Sequence, residues 1–124
     1  MEKVFVYGTL KSSERAAYMM RKHGRLIDDA VTFGTLVDLG PFPAYFSSGD
    51  NAILGEVWEI STEGLSVLDA YEGEGSLYRR IRGTVETPDC ITHEAWMYEY
   101  LGTAPRGSVI PEGFWYSRKI SSAY

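Results

Sequence analysis

Sulfur and imidazole ligands are scarce in this chain. The 124 residues include one cysteine, Cys90, and two histidines, His23 and His93. One cysteine cannot form an internal disulfide or supply a cysteine-based zinc site. A metal cage would therefore consist mostly of carboxylates, and neither HExxH spacing nor EF-hand spacing occurs. We expect the protein to use no metal.

Positive charge and long apolar runs are scarce too. Lys and Arg number 12 against 17 Asp and Glu, which gives a formal net charge of -5. Phosphate binding needs clustered positive charge, so we expect no nucleic-acid partner. No segment approaches the length of a membrane span, and the first apolar run is too short for a signal peptide. These absences predict a cytoplasmic protein with no membrane partner.

The composition fits one small globular domain. Hydrophobic residues make up 44% and charged residues 23% of the chain, which suffices for a packed core. The 13 glycines are spread over turn positions, which is typical of many short strands and tight turns. We predict one domain over residues 1–120, with a frayed tail at 121–124.

The apolar patterns predict a mixed α+β domain, or a small barrel with helices packed on it. Ser12-Ser13-Glu14 supplies a helix N-cap, and Gly24 is suited to the C′ position of that helix, which would have about three turns. Gly40-Pro41-Phe42-Pro43 forms a stiff turn that ends a strand. The other predicted elements are strands at 3–7, 32–39, 53–60, 79–86 and 92–101, a short strand at 43–46 before a turn at 47–51, and a second helix capped by Ser61 or Thr62.

The first candidate site is Tyr7-Gly8-Thr9-Leu10, which follows the first predicted strand. Gly8 lets a ligand approach the backbone, and Thr9 adds a hydroxyl. Successive backbone N–H groups in such a turn can bind an anion, and the next helix adds the positive end of its dipole. A ligand carboxylate would suit this loop. The alternative is a plain strand-to-helix turn, because four residues make a weak motif.

The second candidate is Glu72. It follows Leu68 by four residues and shares the stripe of Leu65 and Leu68 if the second helix reaches that far. Burial beside apolar residues raises the pKa of a carboxyl toward neutrality, which suits a group that takes up and returns a proton. In the alternative interpretation, the helix ends at Ala70 and Glu72 lies in a solvated loop.

Other polar residues also have more than one interpretation. Tyr78 either hydrogen-bonds a ligand from a pocket wall or packs as a half-buried core tyrosine. Glu56 lies on an apolar strand face, either as a buried partner of another group or as a site residue. Ion pairs with surface carboxylates are expected for Arg79, Arg80 and Arg82.

Together, these stretches resemble the gamma-glutamylcyclotransferase family. The matching pieces, in order, are Val4-Phe5-Val6-Tyr7-Gly8-Thr9-Leu10, Gly40-Pro41-Phe42-Pro43-Ala44, Leu54-Gly55-Glu56-Val57-Trp58, Leu68-Asp69-Ala70-Tyr71-Glu72-Gly73 with Tyr78-Arg79-Arg80, Ala95-Trp96-Met97-Tyr98 and Gly113-Phe114-Trp115. The resemblance implies an α+β fold, a small mixed β-barrel with flanking helices and a pocket at one barrel end. Thr9-Leu10, where other members carry Ser-Asn, resembles the gamma-glutamylamine branch.

The resemblance also implies the chemistry. The α-amine of a gamma-glutamyl amide attacks its own γ-carbonyl, which closes 5-oxoproline and expels an amine or amino acid without cofactor or metal. Glu72 would be the general acid and base. The loop after the first strand would hold the glutamyl α-carboxylate. The implied substrate-binding residues are Tyr7, Gly8, Thr9, Leu10, Tyr78, Tyr98 and Trp115.

Two alternatives stay open. The same fold could be a binding module for a small molecule or an interaction scaffold, because a fold does not guarantee activity. The carboxylate could also serve another hydrolytic or transfer reaction on a small amide, and a hydrolase would release glutamate rather than 5-oxoproline. We expect a monomer or a weak homodimer whose partner is a small gamma-glutamyl substrate.

Overall fold

The computed structural model describes residues 1–103 and 108–117, which form five strands and two helices. The elements are β1 (Glu2–Val6), α1 (Ala17–His23), β2 (Gly24–Asp38), β3 (Pro43–Ile60), α2 (Thr62–Glu72), β4 (Tyr78–Glu86) and β5 (Thr92–Tyr100). Neither of these helices has the length and apolar character that a membrane span needs. The predicted tail at 121–124 and the end of the domain predicted over 1–120 lie outside the described residues.

The five strands of the described chain close into a barrel in the order β1-β3-β2-β4-β5. β1 runs antiparallel to β3, with Val4 opposite Trp58, and parallel to β5, with Val4 opposite Trp96. The barrel therefore mixes both strand directions. The predicted α+β fold, a small mixed β-barrel with flanking helices, is confirmed.

Alternation along β1 supplies two apolar cores, because successive side chains of a strand point to opposite faces. Val4 and Val6 pack in a cluster with residues of both helices, such as Met20 and Leu68. Phe5 packs in a second cluster, which contains no residue of either helix and fills the barrel. Each fully buried side chain of this size contributes about 1.5–3 kcal/mol relative to an exposed one.

The first helix begins later than the sequence predicts. Its N-cap is Ala16, and no side chain caps it. Ser12 cannot act as the cap, because its backbone N–H and its hydroxyl both donate to Glu56 of β3. The predicted N-cap at Ser12-Ser13-Glu14 is therefore wrong, and α1 has only seven residues instead of about three turns.

Gly24 ends α1, but not as a left-handed C′ residue. Its φ of -176° is ordinary extended backbone, and it is already the first residue of β2. A Cβ at this position would lie 1.9 Å from the carbonyl oxygen of Glu59. Glycine is required there because β2 and β3 approach closely.

β2 and β3 are longer than predicted. Their antiparallel ladder runs from Gly24 opposite Ile60 to Asp38 opposite Pro43, so the predicted strands at 32–39, 43–46 and 53–60 are parts of two longer ones. The predicted turn at 47–51 corresponds to an interruption of this ladder. Gly34 pairs with Asn51 while Thr35 pairs with Phe46, so residues 47–50 protrude from it.

The second helix begins where the sequence predicts, and its end decides between the two interpretations of Glu72. Ser61 is the N-cap, and its hydroxyl accepts a hydrogen bond from the N–H of Gly64 at 3.0 Å. The helix continues to Glu72, and Gly73, with φ of 65°, ends it in the left-handed conformation. The interpretation in which the helix ends at Ala70 is wrong.

Candidate active site

A cavity of about 200 Å³ opens beside the end of β1. Its walls come from the loop after β1, the proline turn before β3, the end of α2 and parts of β4 and β5. The lining residues are Phe5, Val6, Tyr7, Gly8, Thr9, Leu10, Arg15, Phe42, Pro43, Tyr71, Glu72, Leu77, Tyr78 and Tyr98. The predicted residues that meet here are Tyr7, Gly8, Thr9, Leu10, Glu72, Tyr78 and Tyr98.

Glu56 holds the chain just after the Tyr7–Leu10 loop. Its carboxylate accepts hydrogen bonds from the Ser12 N–H at 2.7 Å and from the Ser12 hydroxyl at 2.5 Å. The indole N–H of Trp58 also donates to it, at 3.0 Å. With only 8% of its surface exposed, Glu56 is a buried partner rather than a cavity residue. These bonds compensate for the loss of water around a charged group.

Gly8 packs against the proline turn. A Cβ at Gly8 would lie 2.8 Å from the ring carbons of Pro43, closer than such atoms ever approach. The hydroxyl of Tyr78 donates to the carbonyl of Pro43 at 2.6 Å and ties the same turn to β4. The loop, the turn and β4 are therefore in direct contact at this wall of the cavity.

The loop also contacts α2. The hydroxyl of Thr9 lies 2.8 Å from that of Tyr71, and the two share a hydrogen bond. Leu10 is buried beside them, with 4% of its surface exposed. Since Tyr71 immediately precedes Glu72, this bond fixes the loop relative to the end of α2.

Glu72 is the last residue of α2 and contributes its side chain to the cavity. Burial raises the pKa of its carboxyl to about 7. None of the ion pairs between described residues includes Glu72. Near neutral pH its protonated and ionised forms are therefore both present in quantity.

The phenols beside Glu72 are held in fixed positions. Tyr7 donates to the backbone carbonyl of Tyr98 at 2.6 Å, as Tyr78 does to that of Pro43. Burial is the first cause that raises the pKa of Tyr7 and of Tyr78 above the ordinary value, and the negative charge of Glu72 adds to it in both. Both phenols stay protonated at neutral pH and act as hydrogen-bond donors.

Tyr98 is part of a chain of polar contacts behind the cavity. Its hydroxyl donates to one oxygen of Asp69 at 2.7 Å, and the other oxygen of Asp69 pairs with Arg80 at 2.9 Å. Burial is the first cause that raises the pKa of the Tyr98 phenol, and the hydrogen bond to Asp69 adds to it. The chain connects α2 to β4 and β5.

Two of the three grouped arginines of β4 form the expected ion pairs. Arg79 pairs with Glu99 at 2.8 Å, and Arg80 pairs with Asp69. Arg82 instead lies over the ring of Trp96, 4.8 Å from its centroid. The expectation of an ion pair therefore does not describe Arg82.

Trp115 does not line the cavity. It packs in the core that fills the barrel, and its indole N–H donates to Asp38 at 3.3 Å. Its backbone carbonyl accepts a hydrogen bond from the buried ammonium group of Lys11, which lies 3.6 Å from the ring centroid of Phe114. The structure therefore places Trp115 behind the loop, as a support, rather than in the predicted pocket.

The sequence predicts no metal site. No group of three or more His, Cys, Asp and Glu side chains within 1–103 and 108–117 is arranged to hold an ion.

Comparison with known proteins assigns the family. A model described as "Gamma-glutamyl cyclotransferase, AIG2-like" matches residues 4–117. The chain belongs to this family. The match spans β1 to the segment after β5 and includes every residue of the candidate site.

Individual members of the gamma-glutamyl cyclotransferase family resemble the chain over most of its length. A candidate gamma-glutamylcyclotransferase of Vibrio cholerae is 35% identical over 117 residues, which is 93% of this chain and 96% of that protein. A gamma-L-glutamyl-butirosin B gamma-glutamyl cyclotransferase of Niallia circulans is 33% identical over 106 residues, 81% of this chain and 67% of that protein. The crystal structure of a mouse AIG2-like protein has the same fold, with a TM-score of 0.75, 24% identity and coverage of 96% and 97% of the two chains.

Sequence reasoning missed several lining residues. Tyr71 could have been found, because it precedes Glu72 and the helical pattern reaches both. For Phe42 and Pro43 the sequence predicts only a turn, although both line the cavity. Arg15 carried no signal, because its hydrogen bond to the carbonyl of Pro41 joins residues 26 positions apart.

Proposed function

We propose that the protein cyclises a gamma-glutamyl amide to 5-oxoproline and releases the amine, with Glu72 as the general acid and base. The observation that carries this proposal is a carboxyl with a pKa of about 7 in a cavity beside the Tyr7–Leu10 loop. The names of the related family members support the reaction class. A metal or cofactor has no part in the proposed steps.

The reaction is intramolecular and needs three proton transfers. The α-ammonium of the glutamyl group first loses a proton, and the resulting α-amine attacks the γ-carbonyl carbon to close the five-membered ring with a new C–N bond. The departing nitrogen gains a proton as its bond to that carbon breaks. The ring nitrogen then loses its second proton, which the released amine takes up. One carboxylate of suitable pKa serves the first two transfers.

Glu72 fits that role because its pKa lies near neutrality. The ionised form accepts the proton of the α-ammonium, and the resulting carboxylic acid returns it to the departing nitrogen. The neighbouring phenols of Tyr7, Tyr78 and Tyr98 have raised pKa values, so they are poor bases at neutral pH. Among these titratable groups, Glu72 has the pKa best suited to proton transfer near pH 7.

The loop would orient the substrate. We assign the α-carboxylate of the glutamyl group to the backbone of the Tyr7–Leu10 loop, all four residues of which line the cavity. Orientation is a large part of catalysis in a ring closure, because a flexible chain rarely brings its ends together unaided. The contacts of Gly8 with Pro43, of Thr9 with Tyr71 and of Ser12 with Glu56 make the loop rigid enough for that task.

The test is a product assay with a matched control. Purified protein is incubated with a panel of gamma-glutamyl amides, and 5-oxoproline is measured by mass spectrometry. Glu72→Gln should lose at least about a hundredfold in turnover, because general acid–base catalysis contributes roughly that much or more. Glu74→Gln changes an exposed carboxylate two residues away and should keep the activity.

The other outcomes point elsewhere. Release of glutamate instead of 5-oxoproline would indicate a hydrolase. Binding of gamma-glutamyl amides by the folded protein, without any product, would indicate a binding module. Full activity of Glu72→Gln would exclude Glu72 as the acid–base group.

A further inference from the structure

The phenol of Tyr98 directs its proton away from the cavity. Tyr98 lines the cavity together with Glu72, whereas Asp69 lies behind it. The hydroxyl of Tyr98 donates to Oδ1 of Asp69 at 2.7 Å. Because a phenol has a single proton, any hydrogen bond that its oxygen makes into the cavity is accepted and not donated.

Asp69 is fixed in place by a second contact. Its Oδ2 pairs with Nη1 of Arg80 at 2.9 Å, and the guanidinium of Arg80 lies 4.5 Å from the ring centroid of Trp96. As an ionised carboxylate in an ion pair, Asp69 accepts hydrogen bonds and donates none. The direction of the bond from Tyr98 is therefore set by the charge of Asp69.

The same phenol also interacts with Glu72. Glu72 follows Asp69 by three positions on α2, so the two acidic residues are neighbours on the helix surface. Burial is the first cause that raises the pKa of Tyr98, the contact with Asp69 is the second, and the negative charge of Glu72 adds to both. Tyr98 is thus within electrostatic reach of two carboxyl groups, and Asp69 holds its proton.

The other groups around Glu72 direct their protons differently. Tyr7 and Tyr78 donate to backbone carbonyls, whose role as acceptors is the same at every pH. Tyr71 shares its hydrogen bond with Thr9, and the exposed Arg15, at the rim of the cavity, donates to the carbonyl of Pro41. Among these neighbours, Tyr98 is the one whose proton is held by an ionisable side chain.

We propose that Asp69 is a positioning residue, which accepts the phenolic proton of Tyr98 and thereby keeps that proton from the carboxylate of Glu72. The catalytic meaning of this inference rests on the proposed function, in which Glu72 must remain a base. A phenol that donated to Glu72 would stabilise the ionised carboxylate and weaken it as a proton acceptor. Asp69 preserves the basicity of Glu72 without touching the substrate.

Asp69→Asn reverses the bond with little change in shape. Arg80 has only donors, so it binds the amide oxygen, and the amide N–H then donates to the oxygen of Tyr98. The phenolic proton is released toward Glu72. The acid midpoint, defined as the pH at which kcat/KM falls to half its maximum, lies at about 7 in the wild type. In Asp69→Asn it should decrease by about one pH unit.

Tyr98→Phe separates the effect of the proton from that of the charge of Asp69. In the double variant, no phenolic proton remains, so Asp69→Asn should move the acid midpoint less than half as far as it does in the wild type. Tyr98→Phe alone should not raise the midpoint, because the lost proton was not donated to Glu72. This single variant also tests the inference if Asp69→Asn does not fold.

Glu99→Gln is the matched control. Glu99 also pairs with an arginine of β4, Arg79 at 2.8 Å, and also accepts a hydroxyl, that of Ser47 at 2.6 Å, but it does not line the cavity. Removal of its charge should leave the acid midpoint where it is in the wild type. A shift equal to that of Asp69→Asn would make the effect a general response to lost charge and would overturn the role of Asp69.

Two measurements read the same quantity. The pH profile of kcat/KM is recorded as 5-oxoproline release, and the carboxyl carbon of Glu72, assigned with Glu72→Gln, is titrated by NMR without any turnover. An unchanged midpoint in Asp69→Asn, equal shifts with and without the phenol, or a raised midpoint in Tyr98→Phe would each overturn the inference and leave the proposed function intact. Absence of 5-oxoproline from the wild-type reaction would overturn the proposed function, and the NMR titration would then decide where the proton of Tyr98 lies.

Discussion

Glu56 and Ser12 are 44 positions apart in the chain, yet the carboxylate of Glu56 accepts both the backbone N–H and the hydroxyl of Ser12. This pair decides where the loop after β1 ends and where α1 begins. Glu56 and Glu72 look alike in the sequence, because each is an acidic residue on an apolar face. In the structure, Glu56 supports the loop from behind, whereas Glu72 lines the cavity.

The first prediction concerns this support. The carboxylate of Glu56 accepts three hydrogen bonds. In Glu56→Gln, the amide has only one oxygen to accept them, and its two N–H donors replace the second oxygen. We expect a loss of about 2 kcal/mol in the free energy of unfolding, measured by urea titration, and a raised KM. Glu59→Gln is the control on the same strand. Its ion pair with Arg25 is more exposed, so it should change the stability by about 0.5 kcal/mol or less. Equal losses in the two variants would contradict the special role of Glu56.

The second prediction concerns the pH dependence of activity. The ionised form of Glu72 is the proposed base, and burial raises the pKa of this carboxyl to about 7. In the free enzyme, kcat/KM should therefore fall as the pH decreases below about 7, instead of below the ordinary range of a glutamate. The pH profile of kcat/KM is measured on the acid side of its maximum, with a gamma-glutamyl amide that can saturate the enzyme. An acid limb near the ordinary glutamate pKa would contradict the assignment.

The third prediction is the effect of the same group on stability. The pKa of Glu72 is higher in the folded protein than in the unfolded chain, so folding favours its protonated form. Its contribution is fully present below the unfolded pKa and is lost as the pH rises through about 7. Glu72→Gln should therefore be more stable than the wild type at about pH 8, by roughly 3 kcal/mol at most, with a smaller difference at about pH 5. Urea unfolding at both pH values measures this, with Glu74→Gln as the control. A constant difference at both pH values would mean that the substitution acts through packing alone.

The fourth prediction tests the contact between Gly8 and Pro43. Gly8→Ala places a methyl group 2.8 Å from the proline ring carbons, so the loop or the turn must shift. We expect a loss of about 1–3 kcal/mol in stability and a loss of at least about tenfold in kcat/KM. Pro43→Ala in the same chain removes the ring and should restore part of both quantities. Failure of the double variant to recover either quantity would show that Gly8 is needed for a reason other than this contact.

The fifth prediction separates positioning from proton transfer at Tyr78. Tyr78→Phe keeps the ring and removes the hydrogen bond to the Pro43 carbonyl. The expected losses are about 1 kcal/mol in stability and less than about tenfold in kcat, because the phenol holds the turn and does not exchange the proton. A loss of kcat as large as that of Glu72→Gln would make Tyr78 a participant in the chemistry.

The sequence by itself determined what depends on near neighbours. The stripe of Leu65 and Leu68 and the cap at Ser61 act within a few positions, so the sequence predicts α2. Whether the helix reaches Glu72 stayed open, and the structure places Glu72 at its end. Alternation does the same for β4 and β5, since side chains of a strand alternate whatever its partners are. The resemblance to the family added the expectation that Glu72 and the loop after β1 belong to the same pocket.

Only the tertiary structure decided what depends on distant partners. Ser12 suits a helix cap by its sequence, but in the structure it donates to Glu56 instead. Gly24 suits a helix end, but glycine is required there because the carbonyl of Glu59 approaches closely. The lengths of β2 and β3 follow from their mutual pairing, which no local pattern encodes. The same holds for Arg15 at the rim and Trp115 behind the loop, because long-range contacts override local propensity wherever a buried polar group finds its partner far along the chain.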